Sequence, residues 1–182
     1  MDPSFHQHII KFWFDETDKQ QWYKVDVDFD KEIKQRFSDV FIAAERGELY
    51  RWRSTIEGRL AEIIVLDQFS RNIYRNSPKA FACDGLALLL AQEAVAADLA
   101  KLLQPERRAF LYMPYMHSES VMIHGVALTL FSDVGMEHNL DFEHKHKKII
   151  DQFGRYPHRN EILGRQSTAE EIAFLKEPGS SF

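Results

Sequence analysis

Apolar residues recur at helical spacing along almost the whole chain, and runs alternating with period two are nearly absent. In FDKEIKQRFSDVFIAAERG, Phe29, Ile33, Phe37, Val40, Phe41 and Ala44 share one face, and Gly47 has the place of a C′ glycine that ends the helix. Ser54-Thr55-Ile56-Glu57 has capping-box spacing and predicts the start of a helix running to about Tyr74. Asp84 is placed to cap DGLALLLAQEAVAADLAKLL, whose apolar residues cover most of the circumference, as in a helix packed on several sides. Pro105 suits the first turn of a helix carrying RRAFLYM, and Pro114 is expected to end or kink it. Two amphipathic segments follow at 118–133 and 138–153, the latter with Asp141/Lys145 and Glu143/Lys147 as i,i+4 pairs on the solvent face. A last short helix opens either at Ser167 with Glu170 or at Thr168 with Glu171. Helices in series with brief loops predict an all-α antiparallel array. No repeat of about 34 residues is legible and no Gly/Ser/Pro-rich linker interrupts the chain, so one domain over 1–182 is expected.

Composition narrows the partners. With 23 Lys+Arg, 28 Asp+Glu and a net charge of −5, the chain lacks the basic balance that binding a phosphate backbone needs, so nucleic acid is not an expected partner. MDPSFHQHIIKFWFDE does not read as a secretory signal, and no window reaches the ~18 apolar residues of a membrane span. Cytoplasmic residence is the expectation. The single cysteine, Cys83, follows Ala-Phe-Ala and reads as a small buried hydrophobe. Met113, Met116 and Met122 read as core filler, and no phosphate-binding glycine loop or G-x-S-x-G elbow is present.

Some polar residues occupy apolar stripes. Leu60, Ile63 or Ile64, Asp67, Arg71 and Tyr74 follow one another at helical spacing, while Val65, Leu66, Phe69 and Ile73 cover another side. Asp67 and Arg71 therefore sit where water is scarce, either as a packing ion pair completed by Gln68 and Asn72 or as an anion-binding arginine held by its aspartate. His117, Val121, His124, Leu128 and Phe131 form a second stripe, with Ser118 and Glu119 in the first turn as possible caps; His146 lies on a third with Phe142, Ile149 and Phe153. His117 and His124 are about 10 Å apart along a helix, too far to chelate one ion, so no metal and no cofactor is expected.

FGRYPHRNEILGRQSTAEE concentrates further donors. Gly154 stops the preceding helix, Pro157 restricts Tyr156 to extended backbone, and His158 to Asn160 begin a new turn. Arg155, His158, Arg159 and Arg165 are thereby fixed on structured loops, either to tie down the last helix or to form an anion site with Arg71.

LDQFSRNIYR, FLYMPYMHSES, FGRYPHRN, LGRQST and EPGSSF together resemble the bacterial family catalogued as domain of unknown function 924. The resemblance spans nearly the whole chain. It implies an all-helical fold similar to tetratricopeptide-repeat proteins, and it implies no activity. The family's motif positions fall here on Asp67, Gln68, Arg71, Asn72, Tyr112, Pro114, His117, Ser118, Glu119, Phe153, Gly154, Arg155, Pro157, His158, Arg159, Asn160, Gly164 and Arg165. Ser70 stands where the family usually has proline, which bears only on a kink before Arg71.

The leading expectation is a polar pocket built by Arg71, His117, Glu119, His158, Arg159 and Arg165 for a small carboxylate or phosphate, or the acidic end of a peptide. A second is an enzyme with His117 or His158 as acid or base, oriented by Glu119 or Asp67. A third is a scaffold, monomeric or homodimeric, whose aromatic patch at Phe12, Trp13, Phe14, Trp22 and Tyr23 meets a partner.

Overall fold

The computed structural model describes residues 2–180 and, among them, helices, turns and no strand. Helix α1 (His6–Lys11) runs on through a π segment (Phe12–Glu16), and α2 (Val27–Glu45) opens on Asp26, whose carboxylate accepts from the amides of Asp28 and Phe29. Gly47, at φ 71°, closes α2 in the left-handed conformation that its lack of a Cβ permits. Helix α3 (Ile56–Ile64) continues through a π segment (Val65–Phe69) into α4 (Ser70–Ile73), so the expected long helix is present but locally unwound. Its N-cap is Thr55, which accepts from Gly58 N, whereas Ser54 bonds the Arg51 carbonyl. Gly58 is required there, because a Cβ would lie 2.0 Å from the carbonyl oxygen of Trp52.

Four helices complete the frame: α5 (Asp84–Ala96), α6 (Pro105–Met116), α7 (Val121–Phe131) and α8 (Glu137–Phe153), with the short α9 (Ala169–Phe174) beyond. Pro114 neither ends nor shortens α6, which continues through it to Met116. Thr168 and Glu171 form the capping box of α9, deciding between the two starts. Helix α3 touches α1, α5 and α6, and α2 packs on α4, so the α3–α4 run lies at the centre of the array. Leu60, Ile63, Ile64, Val65, Leu66 and Phe69 are all fully buried, which places Asp67, on the same run, among core residues.

Several expectations are corrected by packing. Phe12 and Trp13 are core residues stacked on Phe29 and edge-on to Phe69, and Phe14 and Trp22 pack on Phe110, so of the N-terminal aromatics only Tyr23 is well exposed. Met113 and Met116 are buried, but Met122 is exposed. Cys83 is buried, and desolvation pushes its thiol up to about 11. Asp141 pairs with Lys145 as expected, whereas Glu143 faces inward and Lys147 pairs with Asp151. No helix among the described residues is long and apolar enough to cross a membrane.

Candidate functional site

The π segment carries the first part of the site. Asp67 is buried, and its carboxylate accepts from His117 Nδ1 at 2.8 Å and Gln68 Nε2 at 2.5 Å, with Arg71 Nη1 at 3.4 Å. Its main-chain oxygen accepts from Ser70 Oγ (3.0 Å) and Arg71 Nη1 (2.6 Å). Ser70 thus helps satisfy a carbonyl beside the unwound turn. Burial opposes ionisation of Asp67, but the charges of Arg71 and His117 and the donated hydrogen bonds outweigh it and hold the carboxyl far below the usual range. An ionised carboxylate only accepts, so His117 Nδ1 carries the proton. The other ring nitrogen, Nε2, makes no hydrogen bond within the described residues.

Asp84 supplies what the sequence reading assigned elsewhere. As the first residue of α5 it does not cap; its two oxygens take a forked bond from Arg71 at 3.0 and 3.1 Å, and one also accepts from Arg159 Nη1 at 3.3 Å. Arg71 is therefore already neutralised by two aspartates. Arg159 is not: its side chain is 8% exposed, that one long ion pair is the side chain's only hydrogen bond among the described residues, and its Nε is buried without a partner there. The guanidinium lies over Tyr156 (4.5 Å) and Phe81 (4.7 Å), and burial followed by the nearby Arg71 lowers its pKa. The adjacent His158 also has a buried, unpartnered Nδ1, and burial with the charge of Arg159 depresses its pKa to about 4.

The segment that presents these two groups is held rigidly. Gly154 stops α8 at φ 69°, and Tyr156, extended before Pro157, is fixed by its amide on Glu119 (2.7 Å) and its hydroxyl on the Met116 carbonyl (2.5 Å). Arg165 forks onto Glu119 at 2.6 and 2.9 Å and donates to Asn160 Oδ1 at 3.0 Å, while Asn160 donates to Ser167 Oγ at 3.0 Å. Burial opposes ionisation of Glu119, yet Arg165 and the Tyr156 amide keep its pKa low. Arg155 forks onto Glu171 at 2.7 and 2.8 Å and ties α9 down. Neither Ser118 nor Glu119 caps α7; its N-cap is Ser120, without a side-chain bond.

Behind this corner His124 and Glu143, both fully buried, meet at 2.7 Å. His124 Nε2 lies 2.8 Å from the Ser118 carbonyl, which only accepts, so Nε2 carries a proton and the histidine and glutamate share the remaining one. His146 donates from Nδ1 to the Phe142 carbonyl at 2.8 Å, and burial lowers its pKa to about 3. Among the described residues no three His, Cys, Asp or Glu side chains are grouped to hold a metal ion.

Two clefts open on either side of Arg159. The larger, of about 410 Å³, is lined by Arg71, His117, His158 and Arg159 together with Gln68 and Asn72. The smaller, of about 300 Å³, is lined by Asp84, Glu119, His117 and Arg159. Asp67 lies behind His117, and Asn72 turns to Asp30 (2.8 Å) rather than to the Asp67–Arg71 pair. Tyr112, packed edge-on against Phe131, and Arg155, Asn160 and Arg165 line neither cleft. Asp84 and Phe81 were not anticipated: Asp84 sits at a helix start, where a capping role masks any other, and Phe81 lies outside the periodic segments.

Fold and site together define an all-helical protein with a cationic cleft walled by a buried Asp-His-Arg cluster. The chain belongs to the family described as "Bacterial protein of unknown function (DUF924)", whose model matches residues 9–179. It is similar to the solved structure of a protein of unknown function, ATU0120 from Agrobacterium tumefaciens: 34% identical, TM-score 0.90, over 94% of this chain and 97% of that one. No curated protein matches.

Proposed function

We propose that the larger cleft binds a small carboxylate or phosphate, free or at the acidic end of a peptide, with Arg159 and His158 as the receiving groups. One observation carries this: a nearly buried arginine with an unpartnered Nε stands beside a histidine with an unpartnered Nδ1, at the wall of the cleft. A buried polar group left without a partner costs roughly 1–3 kcal/mol, and an anion entering the cleft would recover it by drawing both side chains, whose unpartnered atoms are themselves buried, into charge-assisted bonds. Arg71 and Asp84 then hold the wall, because their charges already satisfy each other.

Calorimetric titration of the purified protein with phosphate and with acetate tests the reading. Wild type is expected to bind at least one of them, and Arg159→Ala to bind it about 30-fold more weakly, as the loss of roughly 2 kcal/mol from a bond to a charged group implies. Arg159→Lys, which keeps charge but not the fork, should fall between. Equal affinity in wild type and Arg159→Ala, or no binding to either anion or to its phenyl derivative, removes the proposal.

The 2.8 Å bond from His117 to buried Asp67 favours a second reading, acid-base catalysis. Asp67 fixes the tautomer, and Nε2 is then the proton acceptor of a residue lining both clefts, with Arg159 in the same wall to meet negative charge as it develops. A panel of aryl carboxylate and phosphate esters is the measurement. On this reading at least one ester turns over, His117→Asn abolishes turnover, and Asp67→Asn lowers kcat at least a hundredfold; turnover undiminished in His117→Asn, or no ester turned over, rules it out.

A further inference from the structure

We infer that the anion taken by the larger cleft carries an uncharged, largely apolar body, an aryl group or compact branched chain, and is neither a bare oxyanion nor a sugar derivative. The inference rests on the anion-binding reading and adds the class of ligand. Size is its first support. A carboxylate or phosphate displaces two or three waters, on the order of 60–90 Å³ at about 30 Å³ each, which leaves most of a cleft of about 410 Å³ for the rest of the ligand.

The walls that remain are mostly apolar. Met113 and Met116 of α6, Ala80 and Phe81 of the Pro78–Phe81 turn, Trp22 and Ile162 all line it. Trp22 is a fixed wall, since its Nε1 donates to the Trp13 carbonyl at 3.0 Å and its ring meets Phe110 edge-on at 4.8 Å.

Most of the inner donors that might read hydroxyls are already occupied. Gln68 donates to Asp67, Asn72 donates to Asp30, Arg75 is clamped on the same Asp30, and Arg71 is forked onto Asp84. A hydroxyl-rich body buried against them would find the amide oxygens of Gln68 and Asn72 as acceptors but few donors in exchange for its water, and a site short of partners discriminates against polar groups. Unused donors beside the anion are Arg159 Nε and His158 Nδ1, while Lys24, Asn76 and His138 line the cleft at exposed positions, which suffices for an anionic head and little more.

Calorimetry with phenyl phosphate, inorganic phosphate and glucose 6-phosphate, and in parallel with benzoate and acetate, separates the cases. Phenyl phosphate should bind at least tenfold more tightly than inorganic phosphate, or benzoate than acetate, and glucose 6-phosphate no more tightly than inorganic phosphate. Ile162→Asn, at a half-buried loop position and checked for an unchanged melting temperature, should cut the tenfold preference below threefold while leaving the affinity for the bare anion unaltered. Equal affinity for phenyl and inorganic phosphate and for benzoate and acetate, or glucose 6-phosphate binding as tightly as phenyl phosphate, overturns the inference and leaves the anion site standing. Absence of binding by all five overturns both.

Discussion

Asp67→Ala should lower the melting temperature by roughly 10 °C, more than any other single truncation in the cluster. Removing one member of a buried charge network costs about 3–5 kcal/mol because its partners remain buried without it, and each kcal/mol is worth about 2–4 °C in a domain of this size. Here three donors converge on Asp67: His117 at 2.8 Å, Gln68 at 2.5 Å and Arg71 at 3.4 Å. Asp67 itself is fully buried behind these cleft-lining side chains, so the vacated place is screened from bulk water. Arg71 keeps its fork on Asp84, which limits the loss to the His117 and Gln68 bonds and one Coulomb partner. Asp67→Asn preserves volume and one acceptor, and should cost less than half as much. Thermal unfolding followed by circular dichroism measures both; a drop below 2 °C in Asp67→Ala would mean that the carboxylate is peripheral to stability.

How far the sequence showed this site depends on what each residue does. Periodicity exposed Asp67 and Arg71 because a charge on an apolar stripe is a local anomaly, visible without any knowledge of the fold. The helical class was legible for the same reason. Asp84 was not, since an aspartate at a helix start satisfies a local rule, and its long-range pairing with Arg71 and Arg159 has no local sign. Glu143 misled in the same manner: an i,i+4 lysine is sufficient for a surface pair, but α7 places His124 against the opposite side. Pro114 was expected to interrupt α6, and the helix carries it through. Arg155, Asn160 and Arg165 looked equivalent to Arg159 in FGRYPHRNEILGRQSTAEE. Only three-dimensional accounting separates them, because the first three are paired with Glu171, Ser167 and Glu119 and Arg159 Nε has no partner.

Acid should weaken the fold in two stages, the first set by histidines. His158 and His146 titrate at about 4 and about 3 in the folded protein, below the ordinary histidine value of 6.5, chiefly because burial disfavours their charged form. As pH falls below about 6.5 the unfolded chain binds protons that the folded chain refuses, so stability is full above that value and declines until the folded groups protonate. Between pH 6.5 and 4.5 the two together remove up to about 5 kcal/mol, at about 1.4 kcal/mol per unit for each. The second stage has a different origin: Asp67 and Glu119 have lowered pKa values, so what they contribute is present above about pH 4 and is lost as pH falls further. Urea denaturation at intervals from pH 7.5 to 4.5 resolves the first stage, and His146→Gln or His158→Gln should each reduce its slope by one proton. A stability that stays flat from pH 7 to 4.5 would place both imidazoles in contact with solvent. A bound anion gives the sharper version. Negative charge beside His158 favours its protonated form, so saturating benzoate, which stays ionised above about pH 5, should flatten the wild-type slope above that pH and leave that of His158→Gln unchanged, tying the acid response of the fold to occupancy of the cleft.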